Sequence, residues 1–158
     1  MTAFAFNPDE LRAIQEIVGR YPDRQAALLP VLRMAQDRSR WLSDDVMEAV
    51  GNALDLPPAH VAGVASFYTL FYKRPVGKYV LGICRNLSCA LLGAEELIEH
   101  AKKRLSLGEA DTSADGKFTL ETAECLAACD GAPCLQVNDA YHLNVTPERF
   151  DDIVAKLP

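Results

Sequence analysis

Apolar positions in the first half of the chain recur at helical spacing. Asn7 reads as a cap, Pro8 as the first helical residue and Asp9 and Glu10 as an acidic first turn, with Leu11, Ile14, Ile17 and Val18 on one face. Tyr21-Pro22-Asp23 ends that segment. A second helix is expected from near Gln25 to Arg38, with Leu28, Val31, Leu32 and Ala35 inward and Pro30 tolerated only because it falls near the first turn. Ser43, followed by Asp44 and Asp45, reads as the cap of a third helix carrying Val46, Val50 and Leu54. Pro57-Pro58 opens a short fourth helix through about Ser66.

The pattern changes after Lys73-Arg74-Pro75-Val76-Gly77, which reads as a turn or linker. Tyr79 to Ile83 predicts a strand ending at Cys84. A helix follows over Ala94 to Leu105, with Leu97, Ile98 and Ala101 apolar. Ser113 to Gly116 is a polar turn, and Phe118 to Ala123 is a second strand. Leu135 to Asn138 and Ala140 to Leu143 read as two strands around an Asn138-Asp139 turn. Thr146 and Pro147 start a last helix whose Phe150, Ile153, Val154 and Leu157 form an amphipathic stripe. Four helices followed by β-α-β-β-β-α predict an α+β chain. A helical arm occupies residues 1–75, and a thioredoxin-like α/β domain with a small mixed sheet occupies residues 76–158.

The chain has 158 residues, 49% of them hydrophobic and 24% charged, which is enough apolar material for a true core. A net charge of −6 lacks the clustered Lys and Arg that nucleic acid or an anionic membrane surface would require. No apolar run approaches the roughly 18 residues of a membrane span. Met1 to Glu10 lacks the basic start and apolar stretch of a secretory signal. The expected compartment is therefore the cytoplasm, with any membrane contact made through partners. In a reducing compartment the five cysteines should be thiols or metal ligands, and their odd number argues against complete disulfide pairing.

Cys84 and Cys89 form a C-x4-C pair, and Cys125 and Cys129 a C-x3-C pair. Each pair follows a predicted strand, so both should lie on loops at the same edge of the sheet and offer four thiolates to one centre. A 2Fe–2S cluster bound by four thiolates is an anion in both oxidation states, and loops supply the free N–H groups that its sulfurs require. A structural zinc site also takes four cysteines, though usually as C-x2-C knuckles. A redox dithiol would need a C-x-x-C that is absent, and unligated buried cysteines are the remaining reading. Cys134 is expected to be a buried bystander at the start of a strand. His60, His100 and His142 lack ligand spacing to the cysteines and read as surface or core fillers. Phe67, Tyr68, Phe71 and Tyr72 read as core packing between arm and domain, with a partner surface as the sharper alternative. Lys102, Lys103 and Arg104 read as a solvated helix face, and Arg85 as exposed or as a counter-charge beside Cys84.

With these residues in view, the sequence resembles the 24-kDa-type 2Fe–2S subunit of NADH:quinone oxidoreductase, respiratory complex I. Tyr21-Pro22, Ala27-Leu28-Leu29-Pro30, Ala35-Gln36 and Trp41-Leu42-Ser43 are similar to that family's helical arm, and Val64-Ala65-Ser66-Phe67-Tyr68-Thr69 to its signature before the linker. Glu124-Cys125-Leu126-Ala127-Ala128-Cys129, Ala132-Pro133 and Gln136-Val137-Asn138-Asp139 resemble its second cysteine loop, and Thr146-Pro147-Glu148 its last helix. Ala127 stands where Gly is common, and Cys134 where a Met-type residue is common.

The resemblance implies a thioredoxin-like ferredoxin holding one 2Fe–2S cluster. It implies docking on a flavin-bearing, NADH-oxidising subunit beside other peripheral-arm subunits, at the inner face of the cell membrane through the complex. FMN and NADH would belong to that partner: no Gly-rich nucleotide motif occurs here, so no catalytic residue is expected and the isolated chain should not oxidise NADH. The helical arm is expected to serve mainly for docking, with bracing of the ferredoxin domain as the other reading. In this family the cluster lies across the flavin from the main chain of clusters, a place suited to storing electrons or tuning the flavin. The equivalent subunit of an NAD-linked hydrogenase or formate dehydrogenase is the related alternative. A zinc-stabilised interaction module without redox function is the alternative of another class.

Overall fold

The computed structural model describes residues 4–158, so residues 1–3 of the expected arm lie outside the described residues. The chain divides into two compact units, the first ending at Pro75 and the second running Val76–Pro158.

Among the described residues, the first unit holds four α-helices: α1 (Pro8–Val18), α2 (Leu28–Ser39), α3 (Asp44–Leu54) and α4 (Pro58–Phe67). Asn7 caps α1 through a complete capping box: its side chain accepts from the N–H groups of Asp9 and Glu10, and Glu10 accepts from its N–H. The expected start of the second helix is corrected, because Gln25–Ala27 form a 3₁₀ turn and α2 begins only at Leu28. That later start places Pro30 in the first turn, where its missing N–H has no helical partner to lose. Ser43 takes the cap position of α3 but does not cap with its side chain. Its hydroxyl bonds Asp45 instead, while Asp45 also accepts from the Phe4 N–H at 2.9 Å. Ile14, Leu28, Val31, Leu32, Val50, Leu54 and Val61 form a fully buried core.

Phe67, Tyr68 and Phe71 meet edge to face, with ring centroids 5.2 and 6.4 Å apart, but only part of this row is buried. Phe71 is buried in the core of the helical unit, Tyr72 is half-buried, and Phe67 is 79% exposed beside Tyr68 at 36%. Gln36 fastens the segment after α4. Its side-chain N–H donates to the Leu70 carbonyl at 2.9 Å, and its side-chain oxygen accepts from the Tyr72 N–H at 2.7 Å.

The second unit contains β1 (Tyr79–Cys84), α5 (Leu87–Leu91), α6 (Ala94–Leu105), β2 (Phe118–Ala123), β3 (Leu135–Val137), β4 (Ala140–His142) and α7 (Pro147–Lys156). The strands form one mixed sheet in the order β2-β1-β3-β4. β1 pairs parallel with β2 from Tyr79↔Phe118 to Cys84↔Ala123, and antiparallel with β3 at Ile83↔Leu135. The two short strands end one residue earlier than expected, since Asn138 (φ 53°) takes the turn and Leu143 lies past the ladder. Leu81, Ile83, Leu97, Leu120, Leu135 and Phe150 bring sheet, α6 and α7 into one core. Gly93, at φ 97°, makes the abrupt passage from α5 into α6 that a side chain would strain. Among the described residues, no helix is long and apolar enough to cross a membrane.

Candidate metal centre

The register of the sheet decides where the cysteines go. β1 and β2 run parallel, so both end on the same side, with Cys84 opposite Ala123. β3 runs antiparallel to β1, so it starts on that side too. The segment from Glu124 to Cys134 therefore leaves one neighbour of β1, arches over the C-terminal end of β1 where Cys84 sits, and enters the other neighbour. The Arg85 N–H donates to the Ala123 carbonyl at 2.9 Å and the Cys84 N–H to the Cys134 carbonyl at 3.0 Å, tying both feet of the arch to β1.

Cys84 and Cys89 are buried, each 3% exposed, and pack in one cluster. The expectation that Cys89 sits on a loop is corrected. It lies inside α5, whose first N–H is accepted at 2.8 Å by the side chain of Asn86. Cys125 and Cys129 stand exposed on the arch, Cys129 opening a 3₁₀ turn through Gly131. Among the described residues no three His, Cys, Asp or Glu side chains form a ready metal cage. The fold brings Cys84 and Cys89 together, places Cys129 near enough to act electrostatically on Cys89, and leaves Cys125 at the surface.

The donor set still fits a four-thiolate cluster, because backbone N–H groups already address the sulfurs. Burial opposes ionisation of Cys84, but the N–H groups of Asn86 and of Leu126, across the arch, together with Cys89, outweigh it and hold its pKa below the usual thiol value. Burial raises Cys89; the Cys134 N–H relieves this only partly, and Cys84 and Cys129 add to the rise. The Ala127 N–H donates to Cys125 Sγ at 3.3 Å, from a backbone at φ 54°. Charge-assisted donors of this kind stabilise thiolates without any nearby cation. Arg85 supplies no such cation: it is half-exposed and reaches Glu109 at 3.9 Å.

Cys134 is 1% exposed and packs with Cys84, Cys89, Ala94 and Ala132. Burial, with the Cys89 and Cys84 charges adding, pushes its thiol up to about 11. Sequence reasoning expected backbone N–H donors here but did not identify them as those of Asn86, Leu126 and Cys134; Asn86, a capping residue type just ahead of Cys89, was the one available signal. His100 meets Asp151 at 3.1 Å and His142 lies on β4, while His60 belongs to α4 of the helical unit. Lys102 and Arg104 pair with Glu99 at 2.8 Å and Asp151 at 3.2 Å, as on a solvated face.

Comparison with known proteins agrees with this architecture. The chain is 41% identical over 141 residues to an NADH-quinone oxidoreductase subunit of Rhizobium meliloti, covering 89% of this chain and 84% of that one. It is 36% identical to an NADH-quinone oxidoreductase subunit of Rickettsia bellii, covering 99% and 96%. The corresponding protein of Mycobacterium tuberculosis is 40% identical over 97% of this chain, which spans 62% of that longer protein. Among solved structures, the fold matches part of an NAD+-reducing NiFe-hydrogenase in its air-oxidised state with a TM-score of 0.74 at 23% identity, over 87% of this chain and 24% of that one. The pattern of the thioredoxin-like 2Fe–2S ferredoxins matches residues 14–158, and the chain belongs to that family.

Proposed function

We propose that this chain is the electron-transfer subunit of an NADH-quinone oxidoreductase, holding one 2Fe–2S cluster through Cys84, Cys89, Cys125 and Cys129 and exchanging electrons with the flavin of an NADH-oxidising partner. The observation that carries the ligand assignment is the arch that holds Cys125 and Cys129, whose two feet are tied to the strand end at Cys84 by the Arg85 N–H to the Ala123 carbonyl and the Cys84 N–H to the Cys134 carbonyl. It ties the second cysteine pair to the strand end that carries Cys84. Bound there, the cluster supplies one-electron transfer. The protein's part is to hold four thiolates, to screen two of them from water, and to set donors on their sulfurs. The relatives' names support assembly into an NADH-quinone oxidoreductase. The helical unit serves that docking, in a complex at the inner face of the cell membrane.

The experiment is a visible spectrum of the purified chain and EPR after dithionite, followed by iron per chain for each Cys→Ala variant. A coloured protein with a reduced-state EPR signal is expected, with iron falling by half or more in each of the four variants. A colourless, zinc-containing protein would replace this reading with the non-redox module. Full iron retention in any one variant would remove that residue. Co-purification separates an NADH-quinone oxidoreductase from an NAD-linked hydrogenase or formate dehydrogenase. Arm deletion tests docking: undiminished binding to the flavin subunit would leave the arm a bracing role only.

A further inference from the structure

Cys134 is held against both cysteines of the first pair. Its carbonyl accepts from the Cys84 N–H at 3.0 Å, and its side chain is packed into the same buried cluster as Cys84 and Cys89. Pro133 precedes it and Leu135 continues into β3, paired with Ile83, so neither flank is free to swing away. Four thiolates complete a 2Fe–2S centre. A fifth sulfur in this place is therefore a small, dipolar, uncharged group on the inner wall of the site. Donors and dipoles beside ligand sulfurs favour the more negative, reduced cluster, and an apolar wall disfavours it.

We infer that Cys134 is a positioning residue that raises the reduction potential of the cluster: its backbone anchors Cys84, and its thiol, packed against Cys84 and Cys89, provides a polar wall that an apolar side chain would not. This rests on the four-cysteine ligand assignment proposed above.

The test uses the full chain with its cluster bound, comparing the parent with Cys134→Ser and Cys134→Val. Iron per chain is measured first, then the midpoint by EPR-monitored titration. All three should keep full iron, with midpoints ordered Ser at or above the parent and the parent above Val. The expected loss in Val is about threefold in the reduced-to-oxidised ratio at fixed potential, about 28 mV at 59 mV per decade for one electron. Equal midpoints at full iron would overturn the inference and leave the ligand assignment standing. Loss of half the iron in Cys134→Ala, with full retention in Cys125→Ala, would overturn both, because Cys134 would then be a ligand. Should Val prove too bulky to retain the cluster, Cys134→Ala, the smaller apolar variant, takes its place in the same comparison.

Discussion

Gly131→Ala should loosen the cluster more than it loosens the fold. Gly131 is buried at the end of the 3₁₀ turn that begins with Cys129. A Cβ added there would stand 2.6 Å from Leu143 Cβ and 2.9 Å from Leu143 Cγ, far inside van der Waals contact. Leu143 has little room to retreat, because it packs on the cluster of Cys84, Cys89 and Cys134. The turn has little room as well: the Gly131 N–H donates to Ala128 and its carbonyl accepts from the Asn144 N–H at 2.7 Å. Overpacking of a tight site costs about 1–3 kcal/mol. If that strain is relieved as Cys129 lets go, cluster release should accelerate by about 5- to 150-fold, since about 1.4 kcal/mol is a factor of ten. The assay is decay of the visible absorption in excess chelator, alongside the thermal midpoint of the cluster-free protein. Leu143→Ala is a poor rescue because it keeps the Cβ at 2.6 Å, whereas Leu143→Gly removes every clashing atom. In the Leu143→Gly background, Gly131→Ala should therefore be milder by about 1 kcal/mol or more. Release and midpoint both equal to the parent's would refute the reasoning, and so would equal damage in the two backgrounds.

Three further outcomes follow from the described contacts. Gln36→Leu should cost the helical unit about 1–3 kcal/mol, because the Leu70 carbonyl and the Tyr72 N–H each lose a buried partner, and a shift of the urea midpoint reads it. Asn7→Ala should cost about 1 kcal/mol by removing both side-chain cap bonds of α1, while Asn7→Asp should be near neutral in the same titration. Burial first, and Arg149 second, hold the His142 pKa below its usual value of 6.5. Folding therefore disfavours its charged form, so its destabilising effect is absent above that value and grows as pH falls below it; His142→Gln should flatten this part of a stability–pH curve.

Elements with a long buried stripe were legible in the sequence. Ala94 to Leu105 and the last helix announce themselves by apolar spacing, because Leu97, Ala101, Phe150 and Val154 must all face the sheet. α5 was not legible, for a physical reason. Of its residues only Cys89 is buried, while Leu87 and Leu91 are 70% and 78% exposed, so hydrophobicity carries no period there. The cysteine spacing indicated two converging pairs, but it could not show which strand lies between the feet of the arch, since strand order is a property of pairing. Backbone donors are more hidden still. Ala127 presents its N–H to Cys125 from the left-handed region, a conformation its side chain disfavours, and the one hint of it is the Gly common at this place in the resembled family.

The central place of β1 has a consequence for how this unit breathes. Amide hydrogen exchange divides a protein into segments that open together. Here the strand that ends in Cys84 is hydrogen-bonded on one side to the strand leading into the arch, and on the other to the strand leaving it. No local opening of β1 can release Cys84 while leaving the arch anchored at both feet. The slowest-exchanging amides of the unit and the thiolates of the proposed centre should therefore belong to one cooperative segment. A bound cluster would then slow exchange in the middle of β1 as strongly as in the loops that touch it.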